Sequence, residues 1–384
     1  MSGSIRSSPA SVSLVHQPWF LFTVMAALLA FTGFAQSWLF ALTIVQLCMI
    51  SSIMALGVNV QWGYAGLFNA GTMGFAALGG LAAVLIASDP VPEAWSVGGA
   101  GIGLSALVIG GTIAAVILVR AKLGGLTGFL STAVILIIGY LLFTAVFGPA
   151  TSAIESVDPS HTGYLGGMGL PILLSWLVGG LLAAGAAWLI GKVAIGLRSD
   201  YLAIATLGIA EIILAVIKNE DWLSRGVKNV TSLPRPVPYE IDLQTSPAFV
   251  EFAQNWNMDP VALASITVKL AFIALFAVVL IVLVYLSEKA LYSPWGRMMR
   301  AIRDQPDAAA AMGKDVKSRH LQVFILGSAI CGIAGAMLVT LDGQFTPGSY
   351  LPLRFTFLIW VMVIVGGSGN NMGSVLGGFL IWFV

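Results

Sequence analysis

The sequence is a succession of apolar runs, most of them close to 20 residues long, joined by polar connections. An α-helix needs roughly 20 apolar residues to cross the hydrocarbon core of a bilayer. The pattern therefore predicts an all-α integral membrane protein, a polytopic bundle of about ten transmembrane helices. The predicted spans are Trp19 to Ala35, Trp38 to Val58, Ala70 to Ala87, Gly98 to Val119, Thr127 to Phe147, Pro171 to Ile190, Tyr201 to Ile217, Ala264 to Leu286, His320 to Leu341 and Leu353 to Val365, with a last run that begins at Ser374.

Composition excludes a water-soluble domain. Of the 384 residues 58% are hydrophobic and 9% are charged, so the chain cannot present a wettable surface and membrane lipid is its expected surrounding. The formal net charge of +1 gives no sign of the strongly basic face that binds nucleic acid, and no nucleic-acid partner is predicted. Cys48 and Cys331 lie in apolar runs far apart, which predicts buried free thiols.

Charges in the connections predict the orientation of the spans, because short cytoplasmic loops carry the excess of Lys and Arg. The basic short connections all fall on one side of the predicted spans, and the acidic ones named below fall on the other. We predict a multi-pass protein of the cell inner (plasma) membrane, with residues 1–18 as a cytoplasmic tail, residues 19–384 as the transmembrane domain and the long polar connection 218–260 on the periplasmic side. The charges are Arg6, Arg120, Lys122, Lys192 and Arg198 on the cytoplasmic side, with a basic set in 291–319, and Asp89, Glu93, Glu155 and Asp158 opposite.

Both ends of the apolar pattern allow a second interpretation. Gly33, Phe34 and Ala35 resemble the site at which signal peptides are cleaved. We expect the first span to be retained, because the next apolar run begins at once, as in an uncleaved hairpin. The last run stops at Val384 without closing charges, which predicts either a truncated chain or an unusually short last helix.

Glycine and amide residues interrupt the apolar pattern at residues 59–80, NVQWGYAGLFNAGTMGFAALGG. Non-helical backbone at membrane depth is tolerated only where it is buried in protein or lines a water-filled path, and broken helices shape solute routes in transporters. Close helix packing explains part of the glycine excess but leaves the Asn and Gln residues unexplained. We predict that a solute pathway is lined by Asn59, Gln61, Gly63, Tyr64, Gly66 and Asn69.

Two further features join this predicted pathway. A second glycine- and asparagine-rich segment, which includes Asn370, lies in the other half of the chain and hints at a duplicated bundle. Glu211 places a carboxylate inside an apolar run, which is a functional hypothesis by default. Structural pairing of Glu211, or a helix end near the membrane interface, is an equally good explanation.

The connection from Leu291 to Arg319 has helix signals that a loop needed only for its charge does not require. Ser293 and Pro294 form a helix start, Pro306 splits the stretch in two, and Gly313 is a natural C-cap. The pattern predicts an amphipathic two-helix element that docks a soluble partner; a solvated basic loop is the alternative. One face carries Arg297, Arg300, Asp304 and Asp307, and another carries Met298, Ile302, Ala309 and Met312.

No catalytic or metal-binding arrangement is visible. His16, His161 and His320 are scattered, and no nucleophile motif occurs, so we predict neither enzyme activity nor a metal or cofactor. The phosphate-binding motif GxxxxGK[ST] is also missing. If transport is driven by ATP, the nucleotide must be bound by partner subunits.

Four blocks of sequence resemble the M-type permease subunits of branched-chain amino acid ABC importers. They are residues 56–80, 197–213, 293–337 and 362–378, in family order, and the resemblance runs from about Leu42 to the end. It implies a bundle of about ten helices, two ABC ATPase subunits that engage a cytoplasmic coupling loop, a second homologous permease, and a periplasmic binding protein that delivers hydrophobic amino acids. Two departures from the family pattern weaken any assignment of leucine as the transported solute. Relatives commonly have His where this chain has Thr72, and their glycine- and proline-rich start of the exterior loop is replaced here by residues 225–228.

The resemblance also assigns residues. Gly63, Tyr64, Ala65, Gly66 and Leu67 match its broken-helix motif. Alternatives left open are a urea or short-chain amide permease of the same family, and a self-sufficient secondary transporter or channel in which Glu211 carries protons. With the charged face included, the residues predicted to engage the ATPase are Gly296, Arg297, Arg300, Ala301, Ile302, Arg303, Asp307, Ala310 and Gly313.

Overall fold

The computed structural model describes residues 18–159 and 162–384. Residues 1–17 of the predicted tail, which include Arg6 and His16, lie outside the described residues. His161 does too. Within those residues the ordered structure is helical and no β-sheet is formed. The helices are α1 (Pro18–Ala35), α2 (Trp38–Val58), α3 (Thr72–Ala87), α4 (Pro92–Ala94), α5 (Ala100–Lys122), α6 (Gly125–Glu155), α7 (Ile172–Ala194), α8 (Ser199–Asn219), α9 (Asp221–Ser224), α10 (Glu240–Thr245), α11 (Pro247–Asn255), α12 (Pro260–Tyr292), α13 (Pro294–Asp304), α14 (Pro306–Ala311), α15 (Val316–Asp342), α16 (Pro352–Gly366) and α17 (Asn371–Phe383).

The predicted fold class is confirmed. Seven helical stretches in the described part of the chain are long and apolar enough to cross a membrane, and α1, α3, α16 and α17 are shorter apolar helices. Each run predicted from sequence is a helix, but the ends differ. Helix α6 has 31 residues and α12 has 33, so both continue beyond the apolar runs. Polar residues at a helix end can extend past the hydrocarbon core, and hydropathy alone does not mark where such a helix stops.

Helices α3, α7 and α15 form the most closely packed part of the bundle. A Cβ atom added to Gly79 of α3 would overlap the carbonyl oxygen of Gly332 in α15, and one added to Gly332 would lie 2.5 Å from the carbonyl oxygen of Gly179 in α7. Small residues let helix backbones approach in membrane proteins, where van der Waals packing drives association. Glycines thus fix the crossing of these three helices.

Helices α5 and α6 pack mainly against each other and leave most of their surface outside the bundle. Between Ala100 and Val119, and between Gly125 and Ile154, neither helix has a charged residue. The outward surface is therefore uncharged over these lengths and mostly apolar, as contact with lipid requires.

The long polar connection 218–260 is ordered. It contains α9, α10 and α11, and Val230 pairs with Phe345 of the connection between α15 and α16 through two backbone hydrogen bonds of 3.0 and 2.8 Å. This pairing ties the connection to the end of the bundle where α15 ends.

Candidate solute pathway and coupling element

Helix α2 ends in a backbone break inside the bundle. The helix widens into a π-turn over Asn59–Gly63, and α3 begins only at Thr72. Gly66 has a φ angle of 69°, a left-handed conformation that glycine adopts without steric cost. We call residues 59–71 the first break. The interruption predicted from the glycine and amide residues is present, and π-turns of this kind are frequent at functional sites.

A second break separates α16 from α17. Gly367 and Gly369 have φ angles of 92° and 81°, and the side chain of Asn370 caps α17 by accepting a hydrogen bond from the Gly373 amide at 3.1 Å. We call residues 367–370 the second break. Asn370, predicted to line a pathway, here has the structural role of an N-cap.

The two breaks are bonded to each other. The Asn59 side-chain oxygen accepts from the Gly369 amide at 2.8 Å, and its nitrogen donates to the Asn371 side-chain oxygen at 3.0 Å. The Tyr64 hydroxyl donates to the same oxygen of Asn371. Asn371 in turn donates to the carboxylate of Glu288 in α12 at 2.9 Å. A continuous set of hydrogen bonds therefore joins the two breaks, α12 and α17.

Gln61 and Asn69 hold the first break against α15 and α16. The Gln61 amide nitrogen donates to the Phe324 carbonyl at 2.9 Å and to the Ser328 hydroxyl at 3.1 Å, while its oxygen accepts from Asn69 at 2.9 Å. The Trp360 indole donates to the Asn69 carbonyl at 3.1 Å. Gln61 and Asn69 are each 1% exposed, and these bonds compensate for the burial of their polar groups. Their assignment to a solute pathway stays a prediction.

Glu211 lies apart from the breaks. It is exposed on the outer face of α8 and borders an open groove of about 500 Å³ together with residues of the chain just before α16 and of its first two turns. The structure thus groups Asn59, Gln61, Tyr64 and Asn69 in the interior and places Glu211 on a separate surface. The residues that line the groove with Glu211 are Leu351, Pro352, Leu353, Arg354 and Phe357.

Sequence reasoning missed Asn371 and Glu288. Asn371 is fully buried at the centre of the network, whereas the neighbouring Asn370, which was selected, only caps a helix. The available signal was the pair of consecutive asparagines. Glu288 offered none, because a carboxylate near the end of a long apolar run is ordinarily an interface residue.

The predicted two-helix element is present as α13 and α14, and we call these two helices the coupling element. Ser293 caps α13 by accepting from the Gly296 amide at 3.3 Å, Pro306 begins α14, and Gly313, with a φ angle of 76°, follows its end. The prediction of two punctuated helices is confirmed.

The apolar side of the coupling element is only partly buried within the chain. Met299 and Ile302 are buried, and Met298 and Ala309 are half-buried. Met312 is 80% exposed and lies beyond the end of α14. Helix α14 ends at Ala311, and a residue beyond the helix end no longer follows the helical spacing from which the face was inferred.

Arg303 connects the coupling element to the first break. Its guanidinium donates to the Gly63 carbonyl at 2.6 Å and also contacts Asp304 at 3.0 Å. A carbonyl freed by the π-turn is thereby satisfied by a cation from another helix. The remaining residues predicted to engage an ATPase divide by exposure: Gly296 and Ile302 are buried and Arg300 is half-buried, whereas Arg297, Ala301, Asp307, Ala310 and Gly313 are exposed.

Comparison with known proteins bears on this arrangement. The sequence profile of the family described as "Branched-chain amino acid transport system / permease component" matches residues 150–384. The chain belongs to this family. The match includes the coupling element and the second break, and it confirms the resemblance that the four blocks indicate. The first break lies outside the matched residues.

Three curated relatives give the extent of the similarity. The "High-affinity branched-chain amino acid transport system permease protein LivM" of Escherichia coli is 27% identical over 210 residues, 53% of this chain and 48% of the relative. Two proteins of Methanocaldococcus jannaschii also match. The "Probable branched-chain amino acid transport permease protein LivM" is 28% identical over 233 residues, 59% of this chain and 58% of the relative. The "Probable branched-chain amino acid transport permease protein LivH" is 31% identical over 112 residues, 29% of this chain and 34% of the relative. The chain spans about half the length of the LivM relatives it matches. No solved structure gives a significant match.

Proposed function

We propose that this chain is a permease subunit of an ATP-binding cassette importer and forms part of the translocation pathway for branched-chain or related hydrophobic amino acids. In this proposal two separate ATPase subunits supply the energy, a second homologous permease completes the pathway, and a periplasmic binding protein delivers the solute. Family membership and the printed names of the LivM relatives support the substrate class. The similarity to LivH as well as LivM supports a pair of related permeases.

The hydrogen bond from Arg303 to Gly63 is the observation that carries the proposed mechanism. The coupling element has an exposed charged face for a partner and a buried apolar face, and Arg303 extends from it to the irregular backbone of the first break. A displacement of α13 therefore reaches residues 59–71 without an intervening element. Movement of a packed helix against a bistable interface is an established way to change which side of a pathway is open.

The test is transport by the full assembly. The chain is co-expressed with its ATPase, second permease and binding protein, reconstituted into proteoliposomes, and assayed for ATP-dependent uptake of radiolabelled leucine. Arg297→Glu is expected to reduce co-purification of the ATPase by about tenfold, because reversing a charge in a docking face introduces repulsion. Lys314→Glu is the matched control, since it makes the same charge change at an exposed position outside both helices.

Arg303→Gln separates docking from coupling. Arg303 is among the residues predicted to engage the ATPase, but its guanidinium bonds to the Gly63 carbonyl. The variant keeps Arg297, Arg300, Asp304 and Asp307 of the predicted charged face, so the ATPase should remain bound while uptake per ATP hydrolysed falls. Full uptake and full ATPase association in Arg297→Glu would contradict the coupling assignment. Uptake by the purified chain alone, driven by a pH gradient without ATP, would instead establish a secondary transporter.

A further inference from the structure

Glu211 and Arg354 are charged residues of apolar helices, and within the part of the chain that the structure describes neither side chain forms a salt bridge or a hydrogen bond. Two other charged residues within spans have such partners: Lys269 donates to the Thr43 hydroxyl at 2.7 Å, and Glu288 accepts from Asn371. The guanidinium of Arg354 lies only near the ring of its neighbour Phe355, 5.8 Å from the centroid. Glu211 and Arg354 are thus available for an external ligand.

The two residues border the same groove. Glu211 is the thirteenth of 21 residues in α8, at the middle of a candidate span, and Arg354 is in the first turn of α16. Leu353 and Phe357 contribute apolar side chains to the lining of the same groove. An exposed carboxylate at the middle of a span is too costly to face lipid, so this side of the molecule faces water or protein. The contrast with α5 and α6, which have no charge at comparable depth, supports the same conclusion.

We propose that this charged groove binds the zwitterionic backbone of an α-amino acid with an apolar side chain. The Glu211 carboxylate binds the α-ammonium group, and the Arg354 guanidinium binds the α-carboxylate through paired N–H donors, for which its planar fork is suited. Leu353 and Phe357 contact the aliphatic side chain. The inference rests on the proposed function and makes it more specific, because a neutral amide such as urea has no charged groups that could pair with Glu211 and Arg354.

The first experiment measures maximal uptake in the reconstituted assembly. Glu211→Gln and Arg354→Gln should each lower the maximal rate of leucine uptake by about tenfold or more, as expected when one member of a desolvated charge pair is removed. ATP hydrolysis stimulated by the binding protein should persist, because neither residue lies in the coupling element. Glu211→Asp and Arg354→Lys should recover part of the rate. Asp200→Asn, on the same helix, and Arg120→Gln are the matched controls and should transport as the wild type does.

The second experiment keeps both charges in place and does not depend on the folding of those variants. Leu353, 56% exposed, is replaced by Cys, and labelling by a membrane-impermeant maleimide is followed in the assembled complex without binding protein. The native Cys48 and Cys331 are buried and should not compete. Millimolar leucine should slow the labelling of Leu353→Cys, whereas 4-methylpentanoate and 3-methylbutylamine, which each lack one charge, should not. Leu107→Cys on α5 should stay unlabelled, because a thiol in lipid does not ionise.

The outcomes separate this inference from the proposed function. No ATP-dependent amino acid uptake by the wild-type assembly would overturn both. Two results would overturn the inference alone. The first is normal uptake by the wild type together with unchanged uptake by Glu211→Gln and Arg354→Gln; the second is labelling of Leu353→Cys that leucine does not slow. Either result would assign the two charges to pairing with the second permease. Failure of the maleimide to reach Leu353→Cys would also overturn it, because a closed groove admits no solute.

Discussion

The span that contains α2 and the one that contains α5 have nearly equal hydropathy but opposite surroundings. In the apolar window of the first, 56% of the residues are buried inside the protein; in that of the second, 6% are. The first ends in the first break, whose amides are fully bonded, and the second presents side chains such as Leu107, 73% exposed. Lipid is as apolar as a protein core, so hydropathy identifies both spans without distinguishing inside from outside. Close-approaching glycines and buried polar groups make that distinction.

If this comparison is correct, the interior should be sensitive to side-chain size and the α5 surface should not. Gly79→Leu is expected to destabilise the bundle by about 3 kcal/mol or more, because the new side chain would occupy the space of the Gly332 backbone and force α3 from α15. Gly110→Leu is the matched control, since nothing lies within 4 Å of a Cβ atom there. Thermal unfolding in detergent, followed by size-exclusion chromatography, measures both. Equal stability of the two variants would remove the basis of the comparison.

The α5 surface should in turn be sensitive to charge. Leu107→Arg places a guanidinium where the neighbouring surface carries no charge, and its cost at the centre of a spanning helix is about 2.5 to 3.5 kcal/mol. A glycosylation-based insertion assay should show reduced membrane integration of α5, while Leu107→Met, which conserves volume and polarity, should integrate normally. Full integration of Leu107→Arg would mean that this face of α5 is covered by protein or water.

The hydrogen bonds between the breaks should have a specific effect of similar size. Asn371→Leu removes the acceptor of Asn59 and Tyr64 and the donor to Glu288, and each buried group left without a partner costs about 1 to 3 kcal/mol. We expect a lower thermal midpoint than in the wild type. Asn219→Leu removes an exposed asparagine whose side chain donates to the Ala215 carbonyl of its own helix, and its midpoint should be nearly unchanged. A midpoint for Asn371→Leu as high as that of the control would show that the network is not needed for stability.

The predictions from sequence that the structure confirms concern local structure. Apolar runs of spanning length gave the helices, the glycine and amide residues gave both breaks, and Ser293, Pro306 and Gly313 gave the ends of the coupling element, because each signal depends only on neighbouring residues. What the sequence did not indicate concerns contacts. Met312 lies past the end of α14, where the helical spacing no longer applies, and Asn371, at the centre of the hydrogen-bond network, was not selected.

By itself, the sequence determined which segments are helical, where helices break and that the chain belongs in a membrane, because lipid requires every backbone polar group to be satisfied within a segment or by close neighbours. The tertiary structure alone decided how the breaks are closed. Asn59 bonds to Asn371 across 312 residues, Gln61 to Phe324 across 263, and Arg303 to Gly63 across 240. Where no solvent can satisfy a polar group, its partner must come from another part of the fold, and no local pattern specifies which one.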